Sequence, residues 1–185
     1  GQSGNMFDVV GLADVTVNDF DVNLDTGSWS VEVYVVSSGA PFSGNETNSS
    51  AWTLLATATV SSAGANNPTN LGLNLGHAVS AGQTHGFYVT VNSGTGMNYT
   101  NGSSQGAVYA SDANMQILEG VGKSYPFGST FTPRVWNGTI HYTTGPPVGQ
   151  LVATTTGVGD LVLSGPDDPP GTTEGYVLLS NETSG

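Results

Sequence analysis

Apolar and polar residues alternate with a period of two along most of the chain. In "SWSVEVYVV", Trp29, Val31, Val33 and Val35 take one face, while Ser30, Glu32 and Tyr34 take the other. Such alternation is the mark of a half-buried strand. "AWTLLATATV", "HGFYVTV", "NMQIL" and "RVWNGTIHYT" predict further strands, rich in β-branched and aromatic residues. Turn clusters such as "SSAGANNPTN", "NSGTG" and "NYTNGSSQG" separate them. No window of about a dozen residues keeps an i, i+3, i+4 apolar stripe free of Gly or Pro, so helix is not expected. Strands recurring roughly every ten residues predict an all-β fold, an antiparallel two-sheet sandwich of jelly-roll-like type.

The pattern changes at Gly145-Pro146-Pro147. Residues 1–144 are expected to form the sandwich domain, and 145–185 a Pro/Gly-hinged, strand-forming extension. The extension holds three strand-like pieces, "QLVATTT", "GDLVLSG" and "EGYVLLS", the last two separated by the turn run "GPDDPPGTTE". About forty residues of this kind cannot close a core alone. They are expected to lie on the first domain, to pair with another copy, or to begin a second module.

Composition narrows the setting. Only 9% of the 185 residues are charged, against about a quarter in ordinary domains, while 37% are hydrophobic. That apolar share, with aromatics spread along the chain, predicts folding rather than disorder. Solubility then rests on hydroxyls and amides. The net charge of −12, with Lys123 and Arg134 the only bases, disfavours nucleic acid and anionic membranes as partners. Cysteine is absent, which removes disulfides, zinc-thiolate sites and a thiol nucleophile. No stretch approaches the length of a membrane span. The composition points to an extracellular or cell-surface location.

One stretch, "DFDVNLDTGSWSVEV", admits three readings. Leu24-Asp25-Thr26-Gly27-Ser28 has the look of an aspartic-protease loop. That chemistry needs two carboxylates about 3 Å apart sharing one proton, and the chain offers no second Asp-Thr/Ser-Gly. Counted from Asp21, the residues Asp21, Asn23, Asp25 and Glu32 occupy positions one, three, five and twelve of a calcium-loop spacing. Thr26 stands where that loop needs Gly, yet calcium remains the candidate ligand of these oxygens. The third reading is structural. Phe20, Val22 and Leu24 alternate inward against outward acids, and a β-bulge at Asn18-Asp19 reconciles them with the opposite parity of Val15 and Val17. Asp25-Thr26-Gly27 then closes a short hairpin.

Other motifs are weak. Gly102-Ser103-Ser104-Gln105-Gly106 fits the nucleophile-elbow pattern, and Gly120-Val121-Gly122-Lys123-Ser124 the end of a phosphate loop. Both need strand-helix units that the pattern excludes. His77, His85 and His141 stand apart without a metal-binding spacing. No enzyme and no obligatory cofactor are expected. Arg134, on a strand, is expected to meet a carboxylate. Trp52, Tyr99, Tyr109 and Tyr125 stand in or beside polar turns and are candidates for stacking on sugar rings, whereas Trp29 and Trp136 belong in the core. Sequons at Asn45, Asn48, Asn98, Asn101, Asn137 and Asn181 are candidate glycosylation sites.

With the strands placed, "MFDVVG", "VTVNDFDVNLDTGSWSVEVYVV", "SAWTLLATATVSSAG", "LNLGHAVSAGQTHGFYVTV", "MNYTNG" and "PFGSTFTPRVWNGTIHYT" together resemble a β-sandwich module of large secreted bacterial surface proteins. The resemblance covers residues 5–144, and its most specific piece is Arg134-Val135-Trp136-Asn137-Gly138-Thr139. It implies an extracellular, structural or adhesive role without catalytic residues. The expected function is therefore a building block of a bacterial surface layer or fibre. Its partners would be other copies of itself, with the extension adding a strand to a neighbour's sheet. The alternative is a carbohydrate-binding module, calcium-dependent or not.

Overall fold

Two antiparallel sheets lie face to face. A computed structural model of the chain describes residues 2–145 and the separate strands Val152–Thr155 and Leu161–Ser164. In chain order the strands are β1 (Gly4–Gly11), β2 (Val15–Asn23), β3 (Gly27–Val36), β4 (Trp52–Ser62), β5 (Pro68–Asn70), β6 (His77–Val79), β7 (Thr84–Val91) and β8 (Tyr99–Asn101). They continue with β9 (Val108–Ser111), β10 (Met115–Leu118), β11 (Gly120–Lys123), β12 (Thr130–Trp136), β13 (Gly138–Thr144), β14 (Val152–Thr155) and β15 (Leu161–Ser164). The larger sheet has nine strands in the order β4-β3-β7-β1-β11-β12-β8, with β10 beside the second half of β1 and β9 beside β10. The smaller sheet has four. There β13 flanks one side of β2, and β5 and β6 share the other.

The core lies between the sheets. Phe7, Val9, Val31, Val33, Phe87 and Val89 of the larger sheet meet Val15, Val17, Phe20 and Val22 of β2 and Leu24 just after it. Phe7 stacks on Trp136 at a centroid distance of 4.6 Å. The expected bulge is present. His141 opposes Asp19 and Tyr142 opposes Val17, so Asn18 is the inserted residue that brings both runs of β2 inward.

The larger sheet is covered on its outer face too. Met6, Tyr88 and Val121 pack there with Val36 and Trp52 of the same sheet, and Phe42 and Phe127 cover them. Double burial explains why β1 and β7 are almost wholly buried rather than alternating. Gly86 allows it, because a side chain there would collide with the Phe42 backbone.

Three expectations are corrected. "SSAGANNPTN" and "NYTNGSSQG", read as turns, contain the short strands β5 and β8. Asp25-Thr26-Gly27 is no hairpin: β2 belongs to the smaller sheet and β3 to the larger, so this turn carries the chain across the sandwich. "RVWNGTIHYT" is likewise two strands in different sheets, broken at Asn137. At that corner a side chain on Gly138 would overlap the Asp21 carbonyl and the Trp136 ring. Period-two alternation is the same in either sheet, so it cannot reveal a crossing. In the extension, β14 and β15 pair with each other, Val152 opposite Ser164 and Thr155 opposite Leu161. "EGYVLLS" and Asn181 lie outside the described residues. Among the described residues no helix is long and apolar enough to cross a membrane.

Candidate functional site

The outward face of the smaller sheet gathers the polar side chains of β2. Because Phe20, Val22 and Leu24 turn inward, Asp19, Asp21 and Asn23 turn out. Thr139 and His141 of β13 stand opposite Asp21 and Asp19, and Asn70 of β5 stands opposite Asp21 on the other side. The Asn70 amide bridges the two acids, donating to Asp19 Oδ2 at 2.9 Å and Asp21 Oδ1 at 2.8 Å. His141 Nε2 lies 2.9 Å from Asp21 Oδ1. Partial burial pushes the Asp21 carboxyl up, but the Asn70 hydrogen bond and the His141 imidazole outweigh it and hold the group below its ordinary value.

At one end this face opens into a cleft of about 170 Å³ lined by Asp21, Asn23, Asn66, Pro68, Asn137 and Thr139. Asn23 Oδ1 accepts the Asn66 N–H at 2.9 Å, and Asn137 Oδ1 accepts the Thr100 hydroxyl at 3.1 Å. Amides beside one carboxylate can exchange hydrogen bonds with a polyhydroxyl ligand.

The calcium spacing does not gather here. Asp21 and Asn23 share the face, but Asp25 lies beyond the strand, where its Oδ1 accepts the Asn98 amide at 3.0 Å. Glu32 sits in the other sheet and accepts the Tyr34 hydroxyl at 2.7 Å. Among the described residues no three His, Asp or Glu side chains converge as metal ligands. The crossing after β2 is the reason, since it carries position twelve away from positions one to five.

Nor do the stacking candidates form a platform. Trp52 is only 7% exposed; its indole donates to the Asn45 carbonyl at 2.9 Å while its ring packs near Tyr88 and Phe127. Tyr99 is half-buried and carries the Arg134 guanidinium 4.9 Å from its ring centre. Tyr109 and Tyr125 are exposed, on β9 and on the turn after β11. Among the described residues Arg134 meets no carboxylate, contrary to expectation: it lies over Tyr99 and donates to the Pro133 carbonyl at 2.8 Å. Among the sequons Asn48 and Asn101 are exposed, and Asn45, Asn98 and Asn137 are half-buried.

The two weak motifs prove structural. Ser103 and Ser104 wrap their backbone N–H groups around the buried Glu119 carboxylate, at 2.6 and 2.7 Å. Gly120–Lys123 is a strand, and Lys123, fully buried, donates to the Gly128 carbonyl at 2.6 Å and Thr130 Oγ1 at 2.8 Å. Sequence reasoning also missed a pair of imidazoles. His77 and His85, eight positions apart on strands of different sheets, are hydrogen-bonded. Nothing in their spacing announces this.

No protein-family model, curated protein or solved structure matches this chain.

Proposed function

We propose that this chain is a structural or adhesive building block of an extracellular surface layer or fibre, without catalytic activity. The observation that carries the reading is the internal use of its functional groups. Trp52 and Trp136 are buried, and the carboxylates of Asp19, Asp21, Asp25 and Glu119 are each occupied by amide or backbone donors of the same domain. Such a surface of hydroxyls and amides, with little charge, tolerates close packing of copies. The resemblance of residues 5–144 to sandwich modules of secreted bacterial surface proteins points the same way. Negative-stain microscopy of the concentrated full chain tests it. Ordered layers or fibres are expected, and uniformly dispersed single particles at every concentration would sink the idea.

The amide-lined cleft favours a second reading, a carbohydrate-binding module. Titration with monosaccharides and short oligosaccharides, followed by calorimetry, separates the two. Saturable binding that Asn66→Ala abolishes would favour the sugar reading.

A further inference from the structure

A sheet edge presents unpaired N–H and C=O groups that invite another strand, and natural sheets blunt their edges with short strands, charges, prolines or bulges. Most edges here obey that rule. In the smaller sheet β5 and β6 have three residues each, β5 opens on Pro68, and β13 carries His141. In the larger sheet β8 has three residues, and β9 has four and runs directly into Asp112.

The exception is β4. It is an edge strand of eleven residues with neither a charge nor a proline. Its one bulge lies near the start, where Leu54 opposes Tyr34 and Ala56 opposes Val33, leaving Leu55 as the extra residue. From Ala56 to Ser62 it keeps unbroken register with Gly27–Val33 on one side. Among the described residues no strand pairs with its other side, and no backbone hydrogen bond from a loop reaches it.

Side chains on this stretch alternate between two faces, and the row on the core side ends at the buried Ser62, whose hydroxyl donates to the Leu24 carbonyl at 3.1 Å. Ala56, Ala58 and Val60 oppose Val33, Val31 and Trp29 and are half-buried on the core side. Thr57, Thr59 and Ser61 are exposed on the other. A second copy related by a two-fold axis normal to the sheet presents the same rows in reverse. Ala58 then lies beside Val60, Thr57 beside Ser61, Thr59 beside its own copy and Ala56 beside Ser62, a set without opposed charges that suits cross-strand pairing. Charge also selects this edge. The chain carries a net −12, so approach through most of its surface brings carboxylates together, while β4 holds none.

We propose that β4 is a homotypic docking edge, where Ala56–Ser62 of two copies pair antiparallel and join their larger sheets into one continuous sheet. The proposal deepens the building-block reading and rests on it for its biological sense. Being two-fold, this contact closes on itself, so a layer or fibre needs a second contact elsewhere.

Sedimentation equilibrium of the full chain tests it, together with amide hydrogen exchange at low and high concentration. The wild-type mass is expected to approach twice the monomer as concentration rises, with slowed exchange confined to residues 56–62. The variant Thr57→Glu/Thr59→Glu should weaken dimerisation at least about tenfold through like-charge repulsion across the pair. Ser93→Glu/Thr95→Glu adds the same charge on the exposed loop after β7 and should dimerise as the wild type does. A wild-type chain that stays monomeric, or one that associates without protection at 56–62, overturns the proposal. So does an edge variant that associates undiminished, and in that case the building-block reading stands, because copies meet elsewhere. If the edge variant fails to fold, the wild-type exchange pattern alone decides.

Discussion

His77 Nε2, on β6 of the smaller sheet, lies 2.9 Å from His85 Nδ1, on β7 of the larger one. The pair ties the two sheets together where His77 also meets the edge of Phe87, at a centroid distance of 5.4 Å. A hydrogen bond between two imidazoles needs one nitrogen without a proton, so doubly protonated rings repel. Burial, and after it the neighbouring His85, lowers His77 from 6.5 to about 4, and burial lowers His85 as well.

The consequence is a stability that depends on pH. Imidazoles that resist protonation when folded bind fewer protons in the native state than in the unfolded chain. Their contribution is therefore complete above pH 6.5 and is lost as pH falls toward 4. After allowance for partial exposure the loss is on the order of 1–2 kcal/mol. Urea unfolding between pH 4 and 7 measures it. His77→Gln should flatten the slope, and an unchanged slope would refute the assignment.

Asp8 opposes that trend. Its Oδ1 accepts the Phe42 N–H at 2.9 Å on the covered outer face. Burial is the main cause that raises its carboxyl to about 6; the Phe42 bond works against this and the charge of Glu46 adds to it. A raised carboxyl favours the folded state below about pH 4, and that contribution is lost as pH rises through 6. Asp8→Asn keeps the acceptor and removes the charge. It should stabilise the protein by about 1–3 kcal/mol at pH 8 and change little at pH 4. Destabilisation at pH 8 would contradict the account.

Arg134 lies on an aromatic ring rather than on a carboxylate, and its Nε is buried without an acceptor among the described residues. Arg134→Met retains apolar cover over Tyr99 and leaves no orphaned acid. The expected cost is below about 1 kcal/mol, the scale of a partly exposed cation–π contact. Thermal melts of the two proteins measure it, and a loss of several kcal/mol would point to an ion pair instead.

Calcium is the fourth case. Asp21, Asn23 and Asp25 are engaged by Asn70, Asn66 and Asn98, and Glu32 lies in the other sheet. A cation bound only by the native state raises the melting temperature with its concentration. Chelator is therefore expected to leave the melting temperature unchanged. A clear fall would mean that the amides give way to a metal.

What the sequence determined by itself was the all-β character and, for strands with one buried face such as β2 and β3, which side turns inward; the short strands β5 and β8 lie in stretches that read as turns. Alternation of Phe20, Val22 and Leu24 with Asp19, Asp21 and Asn23 sets both faces of β2, and the parity break after Val17 locates the bulge at Asn18. These are local matters, since burying apolar side chains on one side of a pleated ribbon leaves the same trace whatever lies opposite. Partner choice is not local. Backbone ladders pair any strand with any other, so only the closed sandwich decided that β2 and β3 part at Asp25-Thr26-Gly27, that Glu32 leaves the company of Asp21, and that His77 meets His85. Trp52 follows the same logic. Beside a polar turn it reads as exposed, and it is buried because the larger sheet has a second apolar face, whose cover includes Phe42 and Phe127.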